Sequence, residues 1–519
     1  MATLPAPLLD TVHERVLAGL ADLASPAELV GASATGSSVG ASTTGGAAST
    51  SAASGAPAGA APTASGPSGA GRSSDADGFS SAGDSSRLDG SSSLDRELAQ
   101  EIADRVVAYL RNTAETTVSV EEDGTTFVIT GDIPAMWLRD SAAQLMPLLR
   151  LVAAGVGSDE ERAVLVSLLS GLLRRQWQYL EIDPYANAFN RQPDASHWDA
   201  DQTELDNPWA WERKFELDSL SYGPDLAWRL WTATGDTSWA DERFLPAARA
   251  ILTTVATEQH HEESSSYFFR RAGVPAQDTL ARDGRGSLTS PNGLVWAGFR
   301  PSDDACELGY NIPGNHFLAL ALERLAELLE QVSDAPEEAA EARARAGEIR
   351  AALAEHALID GPEGQQIWAY EIDGRGGHRF LDDANVPSLL SLPYLGCADA
   401  EDPVQQATRA AVLSPENPFY FAGRHLEGVG SPHTPADHVW PIAKCIEGLT
   451  TNDRQEKLRI LQQLIRTDGG TGMMHEGVHV DDPTRFTREW FSWSNSMFCE
   501  LALDLAGIDR NPHPRPAQS

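Results

Sequence analysis

The chain is short of positive charge, of cysteine and of long apolar runs, and each shortage excludes something. Acidic residues outnumber basic ones so heavily that 519 residues carry a formal net charge of −36 at pH 7. Such a surface repels nucleic acid and anionic membranes, so neither is an expected partner, whereas uncharged substrates stay open. No apolar stretch approaches the roughly 18 residues that a membrane span needs. The N-terminus, MATLPAPLLDTVHERVLAGL, lacks a basic start and places Asp10, His13, Glu14 and Arg15 inside the would-be apolar core, which argues against a Sec signal. Cys306, Cys397, Cys445 and Cys499 lie far apart with no C-x-x-C, the pattern of reduced, buried thiols in a cytoplasmic protein. No Walker lysine follows Gly284-Arg-Gly286 or Gly469-Gly-Thr-Gly472, and no G-x-S-x-G is evident, so neither a phosphate loop nor a nucleophile elbow is supported.

What is present divides the chain unevenly. Residues 1–30 read as an N-terminal helical segment, with an amphipathic helix over 5–24. Residues 31–93 are almost entirely Gly, Ala, Ser, Thr and Pro with scattered Asp. That composition buries too little apolar area to offset its ordering entropy, so it reads as a disordered insertion without an enzymatic role. Residues 94–507 form the globular part and 508–519 a tail. Leu98, Ile102, Val106 and Leu110 share one helical face. Thr116 to Thr130 alternates around a Glu122-Asp123-Gly124 turn and predicts a β-hairpin. Twelve helices are then predicted, near 97–112, 141–155, 158–181, 217–234, 237–258, 312–332, 335–357, 385–393, 401–412, 435–450, 453–467 and 487–506.

The connections say more than the helices. Short links carry stop-and-start chemistry: Gly157-Ser158-x-x-Glu161 is a capping box after a glycine, Gly235-Asp236 is similar, and Asp334-x-Pro336 starts another helix. The connections entering the even-numbered helices are long: 113–140, 182–216, 259–311, 358–384, 413–434 and 468–486. Loops of that length in a compact domain are usually functional. Long and short alternate, which predicts an all-α (α/α)6 toroid of six helical hairpins, with the long loops and small β-hairpins on one face. The even helices are then inner, their free N–H groups turned toward a shared cavity. No repeated consensus supports a solenoid.

Each long loop ends in a dense polar and aromatic cluster. The first reads Gly131-Asp-Ile-Pro-Ala-Met-Trp137-Leu-Arg139-Asp140-Ser-Ala-Ala-Gln144. The second holds Trp209, Trp211, Phe215, Glu216 and Asp218. The third is the stretch from Trp296 to Phe317, where Asp303 and Asp304 stand behind an Arg300-Pro301 turn and Pro313 suits the first turn of a helix. The fourth holds Trp368, Tyr370, Asp382, Asp383 and Asn385. The fifth has Ser414 to Phe421, His433 and Trp440. The sixth has His475, Glu476, Arg488, Glu489 and Trp490. Aromatic faces beside carboxylates and amides suit sugars, whose C–H faces lie on rings while their hydroxyls take hydrogen bonds. Glycosidic bonds are cleaved by two carboxyl groups, and an acidic pocket stabilises the cation-like transition state. Asp303 or Asp304 on the third loop and Glu476 or Glu489 on the sixth are the candidates.

One decoy is His475-Glu-Gly-Val-His479, which matches the zinc-peptidase pattern H-E-x-x-H. That pattern binds metal only on a helix. Here glycines surround it, and Val478-His479-Val480 followed by Asp481-Asp482-Pro483 reads as strand and turn, so no metal site is expected. Cys306, beside the acids, reads as a small buried hydrophobe.

The segments GDIPAMWLRDSAAQ, FELDSLSY, GFRPSDDACELGYNIPGN, SPENPFYF, GSPHTP and MHEGVHVDDPTRFTREWFSWSN occur in that order, and together they resemble glycoside hydrolase family 125 from about Leu94 to Gly507. The resemblance implies an inverting, exo-acting α-1,6-mannosidase on an (α/α)6 fold, acting on mannose-containing oligosaccharides with no cofactor and no catalytic metal. It implies Asp303 as general acid and Glu476 as general base. It further implies that Arg139, Asp140, Arg300, Asp304, Asn315 and His433 hold the terminal mannose, and Trp137 and His475 join that set from the same clusters. As the acid, Asp303 is expected to have a raised pKa. The competing expectations are another (α/α)6 glycosidase, such as a glucosidase, and a mannose-binding protein without turnover.

Overall fold

The computed structural model describes residues 1–21, 23, 96–197 and 201–509. The insertion expected at 31–93 and residues 510–519 of the expected tail lie outside them. The helices are α1 (Ala6–Ala21), α2 (Arg96–Thr117), α3 (Leu138–Ala153), α4 (Asp159–Ile182), α5 (Leu217–Thr234), α6 (Phe244–Glu258), the single turns α7 (His261–Ser264) and α8 (Ala281–Gly284), α9 (Ile312–Gln331), α10 (Pro336–His356), the single turn α11 (Leu392–Leu395), α12 (Pro403–Val412), α13 (Pro441–Leu449), α14 (Arg454–Arg466) and α15 (Ser492–Leu505).

Packing follows burial. Every side chain of α3 from Leu138 to Val152 is buried, and α5, α9 and α15 are nearly as enclosed. These helices pack in succession, α13 on α15, α15 on α3, α3 on α5, and α5 on α9. The less buried α2, α4, α10 and α14 lie against them and turn polar residues to solvent. Caps fix where several begin. Ser158 accepts from the Glu161 N–H at 3.2 Å while the Glu161 carboxylate accepts from the Ser158 N–H at 2.7 Å, the predicted capping box. Asn311 caps α9 by accepting from the Gly314 N–H at 2.8 Å, with Pro313 in the first turn. Gly235 ends α5 with φ of 74°, a left-handed conformation that glycine takes without strain.

The strands are short, antiparallel and confined to the connections. Val118–Val120 pairs with Thr126–Val128, the predicted hairpin. Three further sheets stitch neighbouring long connections together. Met136–Trp137, Ala188–Phe189 and Ala210–Glu212 join the first to the second. Tyr310–Asn311, Glu371–Ile372 and His378–Arg379 join the third to the fourth. His438–Val439, Gly477–His479 and Phe486–Thr487 join the fifth to the sixth.

Four predicted helices differ, among them the one expected from 435, which begins at Pro441 because His438–Val439 is spent on a strand. The one expected at 385–393 is a run of turns, with only α11 at its end. Pro387 supplies no N–H and disfavours helical geometry at Val386 before it. The Asp382 carboxylate takes the N–H groups of Leu389 and Leu390, at 2.8 and 3.0 Å, that a helix would have used. The helix expected from 237 begins at Phe244, and the one expected from 487 begins at Ser492 because Phe486–Thr487 is spent on a strand.

The N-terminal helix runs antiparallel to α2. Ala2 N–H donates to the Val118 carbonyl at 2.7 Å, and His13 Nε2 lies 2.8 Å from Asp104 Oδ1. Leu8, Leu9, Val12, Val16 and Leu20 are buried on its inner face. Among the described residues no helix is long and apolar enough to cross a membrane, and all four cysteines are free.

Candidate active site

All six long connections, at or just past their ends, reach one cavity of about 460 Å³. The first supplies Thr130, Ile133, Trp137, Arg139 and Asp140. The second gives Glu212 and Lys214, and the third Arg271, Val274, Asp278, Ser302 and Asp303. The fourth gives Asn385, the fifth His433 and Trp440, and the sixth Glu476, Arg488, Phe491 and Trp493. The volume is that of a small-ligand site, and the wall mixes rings with charges.

Arg139 organises the floor. It sits in the first turn of α3 and is buried. Its guanidinium reaches four carboxyl groups: Glu216 at 2.5 Å, Asp218 and Asp303 at 3.2 Å each, and Asp140 at 3.3 Å. One cation cannot balance four buried anions, so the carboxyl pKa values are driven apart. Burial raises Glu216 well above its ordinary value, against the pull of Arg139 and with the push of Asp303. Burial likewise lifts Asp140 to about 6. Asp303 goes the other way. Burial presses it upward, but Arg139, a hydrogen bond with Glu216, Lys214 and His433 outweigh that and hold it well below the usual carboxylate range. The expectation of a raised Asp303 pKa is therefore corrected: the cations crowded around it favour its charge.

Asp303 and Asp304 are adjacent yet differently placed. Asp303 has φ of 68°, a left-handed conformation uncommon outside glycine. Its N–H donates to Arg300 O, and its own carbonyl accepts from Lys214 Nζ at 2.7 Å. This sharp turn leaves the carboxyl on the cavity wall. Asp304 is buried behind it, 2.9 Å from Nδ1 of His433. That hydrogen bond, with the charges of Asp304, Glu476 and Asp303, outweighs burial and raises His433 to about 9. His433 therefore stands in the wall as a cation.

Glu476 and Glu489 are likewise separated. Glu476 lines the cavity, with the guanidinium of Arg488 3.7 Å from its Oε1. Glu489 is exposed, does not line the cavity, and precedes the start of α15 by three residues.

The remaining sequence candidates split. Trp137, Arg139, Asp140 and His433 line the cavity; Arg300, Asn315 and His475 do not. Arg300 is buried against Glu371 at 2.6 Å and over the Tyr370 ring. Asn315 exchanges hydrogen bonds with both backbone groups of Val295, at 2.8 and 3.0 Å. His475 stacks on Phe486 with ring centroids 3.7 Å apart and lies against the carbonyls of Asp468 and Arg488. Each shapes a loop rather than facing the cavity. His475 and His479 belong to an extended segment, so they share no helical face.

Sequence reasoning missed Glu212, Lys214, Arg271 and Asp278. They form one ion-paired wall: Lys214 lies 3.4 Å from Asp278 and 3.7 Å from Glu212, and Arg271 lies 2.8 Å from Glu212. A signal was available, since Lys214 is one of only three lysines in the chain.

Over residues 99–503 the chain matches the family described as metal-independent alpha-mannosidase, glycoside hydrolase family 125. It is 36% identical over 428 residues to the Meiotically up-regulated gene 157 protein of Schizosaccharomyces pombe, spanning 78% of this chain and 81% of that one. A Streptococcus pneumoniae protein of a metal-independent α-mannosidase family, solved in a non-productive complex with α-1,6-mannobiose, shares 44% identity and a TM-score of 0.76, over 80% of this chain and 97% of that one. A bacterial glucoamylase solved with acarbose, 12% identical with a TM-score of 0.50 over 80% of this chain and 56% of that one, shares the fold alone. The family match takes in every residue of the cavity wall, and the chain belongs to the metal-independent α-mannosidases of glycoside hydrolase family 125.

Proposed function

We propose that this α-mannosidase is exo-acting and inverting, and removes terminal α-1,6-linked mannose from oligosaccharides with Asp303 as general acid and Glu476 as general base. The observation that carries the reading is the sorting of four candidate carboxylates: Asp303 and Glu476 share one cavity wall, while Asp304 and Glu489 do not. In an inverting reaction the acid protonates the glycosidic oxygen as the C1–O bond breaks. The base takes a proton from the water that attacks C1 from the opposite face. The two carboxyl groups then stand about 6.5–9.5 Å apart with substrate bound, which leaves room for that water. The acidic floor around Arg139 favours the positive charge that develops on the sugar ring. The α-1,6 linkage is supported by the disaccharide held in the Streptococcus pneumoniae relative.

The succession α13–α15–α3–α5–α9 supports five inner members of an (α/α)6 toroid, with the turns around 384–395 in the sixth place. Four free thiols support a reducing, cytoplasmic setting.

Replacing Asp303 by Asn, or Glu476 by Gln, is expected to lower kcat on α-1,6-mannobiose by roughly a thousandfold with the circular dichroism spectrum unchanged. Proton NMR of the first-formed product should show β-mannose. First-formed α-mannose would overturn the inverting mechanism, and a fully active Asp303→Asn enzyme would overturn the acid.

A further inference from the structure

We propose that Glu216 is a positioning residue that stores the catalytic proton and passes it to Asp303. This rests on Asp303 being the acid, and it answers a difficulty in that reading: an acid must carry a proton, yet Asp303 is surrounded by cations.

The geometry is that of a carboxyl pair. Glu216 occupies the residue before α5 and is fully buried, while the Asp303 side chain is 23% exposed toward the cavity. Both carboxyl groups are held by the same guanidinium, Glu216 at 2.5 Å and Asp303 at 3.2 Å from Arg139. Two carboxyl groups crowded onto one buried cation do not both stay ionised, so one of them holds a proton. The pair is clamped from both sides. Arg139 donates through Nη1 to Glu216 and through Nη2 to Asp303. Asn187 Nδ2 stands 3.5 Å from Glu216 Oε1 and 3.4 Å from Asp303 Oδ1.

The charges facing the pair say where the proton rests. Asp218 shares Nη1 of Arg139 with Glu216, Glu212 meets Asn187 from behind, and Asp140 stands at Nε. Lys214 and His433 face Asp303. The resting state is therefore neutral Glu216 and charged Asp303, in agreement with the opposite directions in which their affinities for protons are displaced.

The proton moves from the Glu216 carboxyl to the Asp303 carboxylate and from there to the glycosidic oxygen as the C1–O bond breaks. The leaving alcohol departs neutral. Glu476 holds the proton taken from water, Glu216 is left ionised, and one proton returned through solvent resets the site. No group is oxidised or reduced.

Glu216→Gln keeps the shape and an acceptor for Arg139 but has no acidic proton. It is expected to lower kcat/KM on α-1,6-mannobiose roughly a hundredfold. On 2,4-dinitrophenyl α-mannoside, whose leaving group needs no proton, the loss should stay within a few-fold, and the alkaline limb of the pH profile should move to lower pH. Glu216→Asp, which retains a proton, should keep the wild-type profile at a reduced rate and so separates chemistry from misfolding. Equal losses on both substrates with an unmoved pH profile would overturn the proposal, as would Asp and Gln variants that behave alike. Asp303→Asn runs alongside: if it shows no dependence on leaving group, the acid assignment itself falls, whereas if it does and Glu216→Gln does not, only the stored proton falls.

Discussion

Individual residues at this site owe their roles to what neighbours do to their charge. His433 is the sharpest case. Alone in a sequence it reads as an ordinary imidazole with a pKa near 6.5. Hydrogen-bonded at 2.9 Å to buried Asp304 and facing Glu476 and Asp303, it is raised to about 9. A raised folded-state pKa stabilises the fold fully below the unfolded value and loses that contribution as pH climbs through the folded one. The melting temperature of the wild type should therefore exceed that of His433→Asn most below pH 6.5, and the difference should close as pH rises through about 9. Thermal melts of both proteins from pH 5 to about 10 check this; a difference that does not vary with pH would remove the charged histidine from the account. The choice between Asp303 and Asp304 had the same character. Two adjacent aspartates cannot be ranked by type or spacing. Only the left-handed turn at Asp303 separates a carboxyl on the cavity wall from one behind it. The rarity of lysine marks Lys214 in the sequence but does not say what it meets; in three dimensions it meets Asp303, Asp278 and Glu212 at once.

Secondary-structure elements were legible where local chemistry alone decides them. Pattern and caps located α3, α4, α5, α9 and α10 closely, since each has an apolar face and a start or stop residue at hand. They failed where a distant partner takes over the backbone. Asp382 captures the N–H groups of Leu389 and Leu390, and Gly477–Val478 captures Thr487 and Phe486 as strand partners. Neither bond is written in the segment it reshapes. The capping box of α4 is a purely local device and gives a local prediction. Ser158→Ala removes the acceptor for the Glu161 N–H at the start of a 24-residue helix. It should cost about 1 kcal/mol in urea unfolding and leave kcat/KM as it was, because Ser158 is no part of the cavity wall. An effect several times larger would mean that the end of α4 is coupled to the site rather than merely supporting it.

The chain as a whole sets its chemistry apart from its longest compositional anomaly. Every residue of the cavity wall falls between Thr130 and Trp493, and the family match spans 99–503. Residues 31–93 lie outside that match. The N-terminal helix is different, because its buried face belongs to the same body as the site. The contacts of Ala2 with Val118 and of His13 with Asp104 run antiparallel, so the end of α1 comes back toward the start of α2. The few residues left after excision, 24–30 and 94–95, therefore need only join two neighbouring helix ends. A chain lacking 31–93 should keep kcat/KM on α-1,6-mannobiose and its melting temperature close to those of the full chain. Removing 1–93 should not be neutral. Leu8, Leu9, Val12, Val16 and Leu20 are buried, and each fully buried apolar side chain of this size contributes roughly 1.5–3 kcal/mol. Gly19 lies so close to Ala506, just past the end of α15, that a Cβ there would clash with its backbone, so the loss would open the C-terminal end of α15 as well. The larger truncation should melt well below the smaller one or precipitate on expression. Equal stability of the two would show that α1 is dispensable, and loss of turnover on excising 31–93 alone would give that segment a part in catalysis.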